Sequence, residues 1–435
     1  MTAKKHSGKP AGLLYAVSLG CPKNLVDTEM VTGAFINGGA RLTFDPDEAS
    51  VYLINTCAFL ASARNEAQEA IEEGAAWKAE HPHGKLIVAG CLVNHPQIGE
   101  FKAAFPEVDL WAGNRELDKI VPSPRCPGGF PLRLQLTLPH VAYLRIADGC
   151  DNRCAYCLIP RLRGDKCSRT IASCVAEAEQ LVSVGVKELV LIAQDTTAFG
   201  ENGETFVQLL QALEALPGAF RYRILYTHPV HYTDELIAFL GSAKKFIPAL
   251  DLPLQHISDN MLEKMNRHTG SRYIRELVQK LRKNIPGLTL RTTFITGFPG
   301  ETEEDFQELL EFAAEARFER LGVFAFSPEP GTPAFDMAEQ VPPEVADKRA
   351  KDIMRRQHLR IAAANKALIG ETVEIMVDDF DGDYALGRRD SDAPDIDQYV
   401  YCRLPKKVRF APGDRIKVRI TAALKGGDLE AETLG

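Results

Sequence analysis

The stretch GCDNRCAYCLIPRLRG sets Cys150, Cys154 and Cys157 at gaps of three and two residues. Spacing this tight lets one loop wrap three thiolates around a single inorganic core. A mononuclear zinc site needs a fourth ligand, from elsewhere in the chain or from water where the metal is catalytic. Cys167 and Cys174 follow only after a break in the rhythm. A cubane of four irons can instead take three protein thiolates and leave one iron open for substrate. Soft thiolates suit either metal, so spacing alone leaves both readings open. Arg153, Tyr156 and the apolar Leu158, Ile159 and Pro160 would surround the core and tune it through burial and hydrogen bonds.

A second set is spread out. Cys21 follows YAVSLG, Cys57 follows YLINT and Cys91 follows LIVAG, at separations of 36 and 34 residues. Each separation is about one strand–helix unit, and each cysteine comes just beyond the C-terminal end of its strand. In a parallel α/β sheet those ends share one edge, where ligands collect near the topological switch point. A single buried cysteine is ordinarily a small core residue. The repeated placement points instead to an auxiliary cluster. Cys126, Cys167, Cys174 and Cys402 share no such placement and receive no metal role.

The elements that must position these residues fall into three blocks. From 11 to 125, short apolar runs (LLYAVSL, VYLINT, KLIVAG) alternate with helical stretches, which predicts a parallel α/β domain. PSPRCPGGFPLR then reads as a linker. From 136 to 367, six strand–helix units predict a (β/α)6 partial barrel, with an open doubly wound sheet as the other possibility. Its strands are VAYLRIA, ELVLIAQ, RYRILYT, FIPALDLPL, LTLRTTFITG and RLGVFAF. A barrel carries its site at the C-terminal ends of its strands. There LIAQDTTAFG places Gln194 and Asp195, and TTFITGFPGET places Gly297, Gly300 and Glu301. Such groups suit a ribose or an amino acid, although a glycine turn capping a helix explains FPGET equally well. Gln255, His256, Met265 and Arg267, with His228 and Arg291, are further candidates near strand ends. From 370 to 435, short alternating strands predict a small β-barrel.

The 435 residues are 45% apolar and 25% charged, ordinary for globular protein. No run approaches the ~18 apolar residues of a membrane span, and the basic start MTAKKHSGKPAG has no apolar stretch behind it. The expected compartment is the cytoplasm. In a large chain of this kind, ten cysteines favour metal or catalysis over disulfides.

The three-two cysteine loop after the first barrel strand, with an aromatic before its last cysteine, resembles that of the radical S-adenosylmethionine (SAM) enzymes. The resemblance implies a [4Fe–4S] cluster on Cys150, Cys154 and Cys157 whose open iron chelates SAM. With SAM as the cofactor, Tyr156 of the loop and Gln194, Asp195, Arg291, Gly297, Gly300 and Glu301 at or near strand ends become the candidate contacts to it. The whole chain resembles the methylthiotransferases within that superfamily, through LGCPKN, NTCAF, AGCL, IPRLRG and FSPEPGTPA. That implies a second [4Fe–4S] cluster on Cys21, Cys57 and Cys91, a second SAM as methyl donor, and an electron donor such as flavodoxin or ferredoxin.

The family has a class acting on adenosine in tRNA and a RimO-type class acting on an aspartate of small-subunit ribosomal protein twelve. GCDNRC, with Asp151 where the tRNA class generally has asparagine, and GRRDSDAPDIDQYVY resemble the second. The C-terminal block resembles a TRAM domain, usually an RNA-binding module, yet it holds 14 acids against 10 bases. RNA binding demands basic surface. Eight aspartates between Asp378 and Asp397 therefore predict an acidic face for a basic protein partner, although such a run is often only a solvated face. A non-catalytic iron–sulfur or zinc module with an RNA-binding tail is the reading outside the family.

Overall fold

The computed structural model describes residues 12–121, 133–404 and 410–434. Cys126 and most of the expected linker lie outside that set.

The N-terminal sheet contains β1 (Leu13–Ser18), β2 (Arg41–Leu42), β3 (Val51–Thr56), β4 (Lys85–Gly90) and β5 (Leu110–Ala112), all parallel, in the order β2-β1-β3-β4-β5. The order reverses at β1/β3, the switch point of a flavodoxin-like sheet. The register is what brings the cysteines level. Ser18 pairs with Asn55 and Thr56 with Gly90, so Cys57 and Cys91 leave neighbouring strands side by side. Cys21 caps the helix Pro22–Asn37, whose proline suits the first turn because the missing N–H would have no helical partner there.

The central sheet contains β6 (Val141–Arg145), β9 (Glu188–Ile192), β10 (Arg221–Ile224), β11 (Phe246–Asp251), β12 (Thr289–Thr296) and β13 (Arg320–Ala325). They lie in sequence order, every pair parallel, as an open six-stranded part-barrel. All six expected strands are present. Between β6 and β9 a short antiparallel ribbon, β7 (Ala147–Asp148) with β8 (Cys167–Ser168), pinches the base of the cysteine loop. Leu158 and Leu162 from that loop belong to an N-terminal hydrophobic core, while Val26 of the first helix packs with Tyr143, Val190 and Leu225. The first two domains thus share apolar contacts on both sides of the loop.

The helix Pro343–Ala367 leads to a closed five-stranded barrel of β14 (Thr372–Asp381), β15 (Tyr384–Arg388), β16 (Val400–Arg403), β17 (Arg415–Ala423) and β18 (Leu429–Thr433). Sequence reading finds β14, β16 and β17 but not β15 or β18. LEAET carries too few apolar residues to stand out, and its burial comes from pairing with both β16 and β17.

Four of the eight aspartates in the run, Asp378, Asp390, Asp392 and Asp397, are held in ion pairs, whereas Asp379, Asp381 and Asp383 are exposed with no ion pair among the described residues. Arg388, Glu188 and Arg223 form a buried chain, with 3.1 Å from Arg388 Nη1 to Glu188 Oε2 and 2.8 Å from Arg223 Nε to Glu188 Oε1. Asp378 accepts from Arg388 Nε at 2.5 Å and pairs with His140 at 2.8 Å. Asp390 pairs with Arg221 and Arg415, Asp392 with Arg320 and Arg389, and Asp397 with Arg291 and Arg320. Arg221, Arg291 and Arg320 come from β10, β12 and β13, so these pairs bolt the small barrel to the part-barrel. A composition count registers the charge but not where its counter-charges come from.

Candidate active site

Local geometry shapes each cysteine segment. Gly149 has φ +73°, and a Cβ there would lie 2.2 Å from the Asp165 carbonyl oxygen, so only glycine closes the loop base. Gly20 is the counterpart beside the spread set, where a Cβ would lie 2.5 Å from Cys57 Cβ. Ala155 N–H donates to Met265 O at 3.0 Å and Ala334 N–H to Ala155 O at 2.9 Å, fixing the cysteine loop from two directions.

All six cysteines of the two sets, Cys21, Cys57, Cys91, Cys150, Cys154 and Cys157, line one cavity of about 1000 Å³. Donors already point at sulfur. Arg267 Nη1 lies 3.3 Å from Cys154 Sγ, Ile159 N–H 3.5 Å from Cys157 Sγ and Asn114 Nδ2 3.7 Å from Cys91 Sγ. Burial pushes the Cys150 thiol up to about 11 and those of Cys91 and Cys157 up to about 12. Uncoordinated, they would stay protonated at neutral pH. A bound metal would supply the positive charge that makes them thiolates, and the donor sets fit such a group. Among the described residues no three His, Cys, Asp or Glu groups are gathered as for a single metal ion.

The cavity also fits a polar organic ligand. Gln194 donates through Nε2 to Asp148 Oδ1 at 3.0 Å and leaves a buried Oε1 without a partner. Arg267 Nε and His228 Nε2 are likewise buried and unpartnered. All three residues line the cavity. Tyr156 lines it too, its hydroxyl accepting from Arg267 Nη1 at 3.2 Å. Asp195 reaches the wall but is already satisfied, accepting from Asn152 at 2.8 Å and Thr197 at 2.9 Å and facing His231 at 3.2 Å. Gln255 completes this side in a left-handed conformation, φ +70°.

Other expected residues lie elsewhere. Arg291 pairs with Asp397 at the domain junction. Gly297 gives way to the helix Pro343–Ala367, since a Cβ there would lie 2.2 Å from Ala346 Cβ. Gly300 similarly admits Lys264, 2.2 Å from the position its Cβ would take. Glu301 binds Arg349 at 2.6 Å and His256 at 3.2 Å, so FPGET forms a braced turn under the site. His256 and Met265 are buried away from the cavity wall.

Sequence reasoning passes over several residues here. Arg163 bridges Asp27 at 2.9 Å, Asp148 at 3.1 Å and Asn24 at 3.1 Å. Lys23 Nζ sits 3.3 Å from the Tyr226 ring centroid, within the cavity lining. Glu329 of FSPEPGTPA accepts from Ala61 N–H at 2.9 Å and Arg64 Nη1 at 2.6 Å, holding the chain just after Cys57. The available signal was only that Arg163 and Glu329 fall inside quoted motifs.

Family profiles match three segments: the radical SAM superfamily at 144–313, an uncharacterised protein family, UPF0004, at 14–113, and the TRAM domain at 369–434. Together with the part-barrel and its cysteine loop they define a radical SAM enzyme, which implies SAM and an iron–sulfur cluster. Curated relatives named ribosomal protein uS12 methylthiotransferase RimO align almost end to end. The one from Elusimicrobium minutum is 41% identical over 94% of this chain and 97% of its own. The one from Syntrophus aciditrophicus is 41% identical over 97% and 98%. The chain belongs to the RimO family of methylthiotransferases. Among solved structures, the radical SAM methyltransferase TsrM from Kitasatospora setae, with tryptophan and a SAM analogue bound, superposes with TM-score 0.52 over 85% of this chain and 79% of its own. At 15% identity it reflects fold alone. No helix among the described residues is long and apolar enough to cross a membrane.

Proposed function

We propose that this protein methylthiolates the β-carbon of an aspartate in small-subunit ribosomal protein twelve, uS12, using SAM and two [4Fe–4S] clusters. The observation that carries the reading is the meeting of six cysteines, three from each of two domains, in one cavity of about 1000 Å³. Cys150, Cys154 and Cys157 would hold the cluster that binds SAM, and Cys21, Cys57 and Cys91 the auxiliary one. Once bound, these groups supply a radical able to take hydrogen from an unactivated carbon, together with the sulfur and methyl to replace it.

The chain's own residues orient and enclose. Arg267 would keep the Cys154 sulfur and the Tyr156 hydroxyl in place, since its Nη1 reaches both. Gln194 offers a pre-aimed acceptor, its amide held by Asp148. Leu25, Phe59, Leu60, Phe324 and Ile396 supply apolar wall, which favours exclusion of water from a reactive centre. In this scheme residues 11–125 carry the auxiliary site, 136–367 the SAM site and 370–435 a substrate-facing wall. A flavodoxin or ferredoxin would deliver electrons, in a cytoplasm that keeps thiols reduced.

The test is anaerobic reconstitution, quantifying iron and acid-labile sulfide, followed by mass spectrometry of uS12 and tRNA incubated with the enzyme, SAM and reductant. A methylthio group on the uS12 aspartate is expected. A methylthio group on a tRNA adenosine instead would assign the other class. Metal uptake without SAM cleavage would indicate a non-catalytic module.

A further inference from the structure

Of the four aspartates between 390 and 397, three are held in ion pairs within the chain, as described above. Asp395 differs. Among the described residues it has no basic partner, and its polar contact is the Tyr143 hydroxyl, at 3.5 Å. It remains exposed, and with Ile396 it lines the cavity of the six cysteines. Its backbone is left-handed, φ +60°, a conformation that aspartate adopts more readily than most residues. The pairs made by Asp392 and Asp397 on either side hold it there. An exposed carboxylate, fixed at a largely apolar wall and without a counter-ion among the described residues, is placed to receive a cation from outside the chain.

We propose that Asp395 is a specificity-determining residue that takes a lysine or arginine side chain of the protein substrate, close to the aspartate being modified. The inference rests on the ribosomal-protein reading above and adds a contact to it. Ribosomal proteins lie against RNA phosphates and carry the basic side chains such contacts require. A carboxylate with one face in water and the other on apolar wall attracts such a group more strongly than one on open surface, because the effective dielectric is lower. The C-terminal barrel then acts in substrate choice through the loop between β15 and β16.

The test uses the full chain, anaerobically reconstituted, with uS12 as substrate and the variants Asp395→Asn and Asp395→Arg. Asp395→Asn should raise KM for uS12 about tenfold, equivalent to about 1.4 kcal/mol, and should change kcat much less. The gap from wild type should narrow as salt rises. Asp395→Arg should raise KM further, and one uS12 variant with a lysine or arginine near the target replaced by glutamate should restore it. Iron content and SAM affinity, measured by calorimetry, check that each variant is folded. Wild-type KM in both variants, or a change confined to KM for SAM, overturns the inference while uS12 modification by the wild type keeps the functional reading. A wild-type enzyme that leaves uS12 unmodified overturns both.

Discussion

Arg163 Nη2 lies 2.9 Å from Asp27 Oδ2, and the two side chains are only 1% and 2% exposed. Arg163 ends the short helix that follows the cysteine loop, whereas Asp27 belongs to the first helix of the N-terminal domain. The loop carrying one cysteine triad is therefore clamped to the domain carrying the other. Arg163 also donates to Asp148 through Nη1 and to Asn24 through Nη2, and Asp148 in turn holds Gln194.

Arg163→Met should strip that clamp and leave Arg145 as the remaining cation on Asp27, at a cost of up to about 3 kcal/mol. Both tryptophans of the chain, Trp77 and Trp111, lie in the N-terminal domain, so their fluorescence follows that domain selectively. The expected outcome is a lower denaturant midpoint by tryptophan emission. An unchanged midpoint would show that apolar packing alone holds the domains together.

Asp392→Asn should behave as an interior substitution although it sits in an acidic run. Its carboxylate is buried between Arg320 and Arg389, and it is pulled below the ordinary carboxylate range because these cations outweigh the burial that pushes it up. Neutralising it leaves Arg320 and Arg389 short of an anion, a loss of up to about 3 kcal/mol. Limited proteolysis between the part-barrel and the small barrel should accelerate. Equal cleavage rates in wild type and variant would return the run to a solvated face.

The same junction should be acid-labile. Burial alone would push the Glu188 carboxyl up, but Arg223 and Arg388 overcome it and hold the group at about 2, against an ordinary 4.5. A folded-state value below the unfolded one stabilises the protein above pH 4.5, and the gain is lost as pH falls from there toward about 2. The contribution at neutral pH is about 3 kcal/mol. Glu188→Gln should thus melt lower than wild type at pH 7, and the difference should shrink across that window. A difference constant from pH 5 to about 2 would contradict the ion-pair origin.

That Cys21, Cys57 and Cys91 face one cavity is legible in the sequence because strand ends of a parallel sheet share an edge. Arg163 is not. It meets Asp27 136 residues away, and nothing local separates it from the exposed Arg161 beside it. Gly297 and Gly300 were read as ligand-facing, yet a glycine needed for a close approach looks the same whether the neighbour is a cofactor or the helix bearing Ala346. For a related reason the sequence does not show which aspartates of the acidic run are paired. Beside Arg388, Arg389 and Arg415 of the small barrel, counter-charges for Asp390, Asp392 and Asp397 stand on Arg221, Arg291 and Arg320 of the part-barrel, and only the docked fold brings these there.

Cys57→Ala and Cys157→Ala should separate the two halves of the cavity. Cys157 lies in the loop pinched by β7 and β8, where Cys154 receives Arg267 and Cys157 receives Ile159 N–H. Removing its sulfur takes a ligand from the proposed SAM cluster, and reductive cleavage of SAM should fall to background. Cys57 leaves β3 in the other domain, level with Cys91. Its loss should spare SAM cleavage, lower the iron bound after anaerobic reconstitution, and abolish methylthiolation of uS12. Formation of 5′-deoxyadenosine and mass spectrometry of uS12, measured on the same preparations, give both readouts together. Wild-type cleavage in Cys157→Ala would remove the SAM cluster from that loop. Full iron content with full methylthiolation in Cys57→Ala would reduce the N-terminal triad to core residues that merely share a sheet edge.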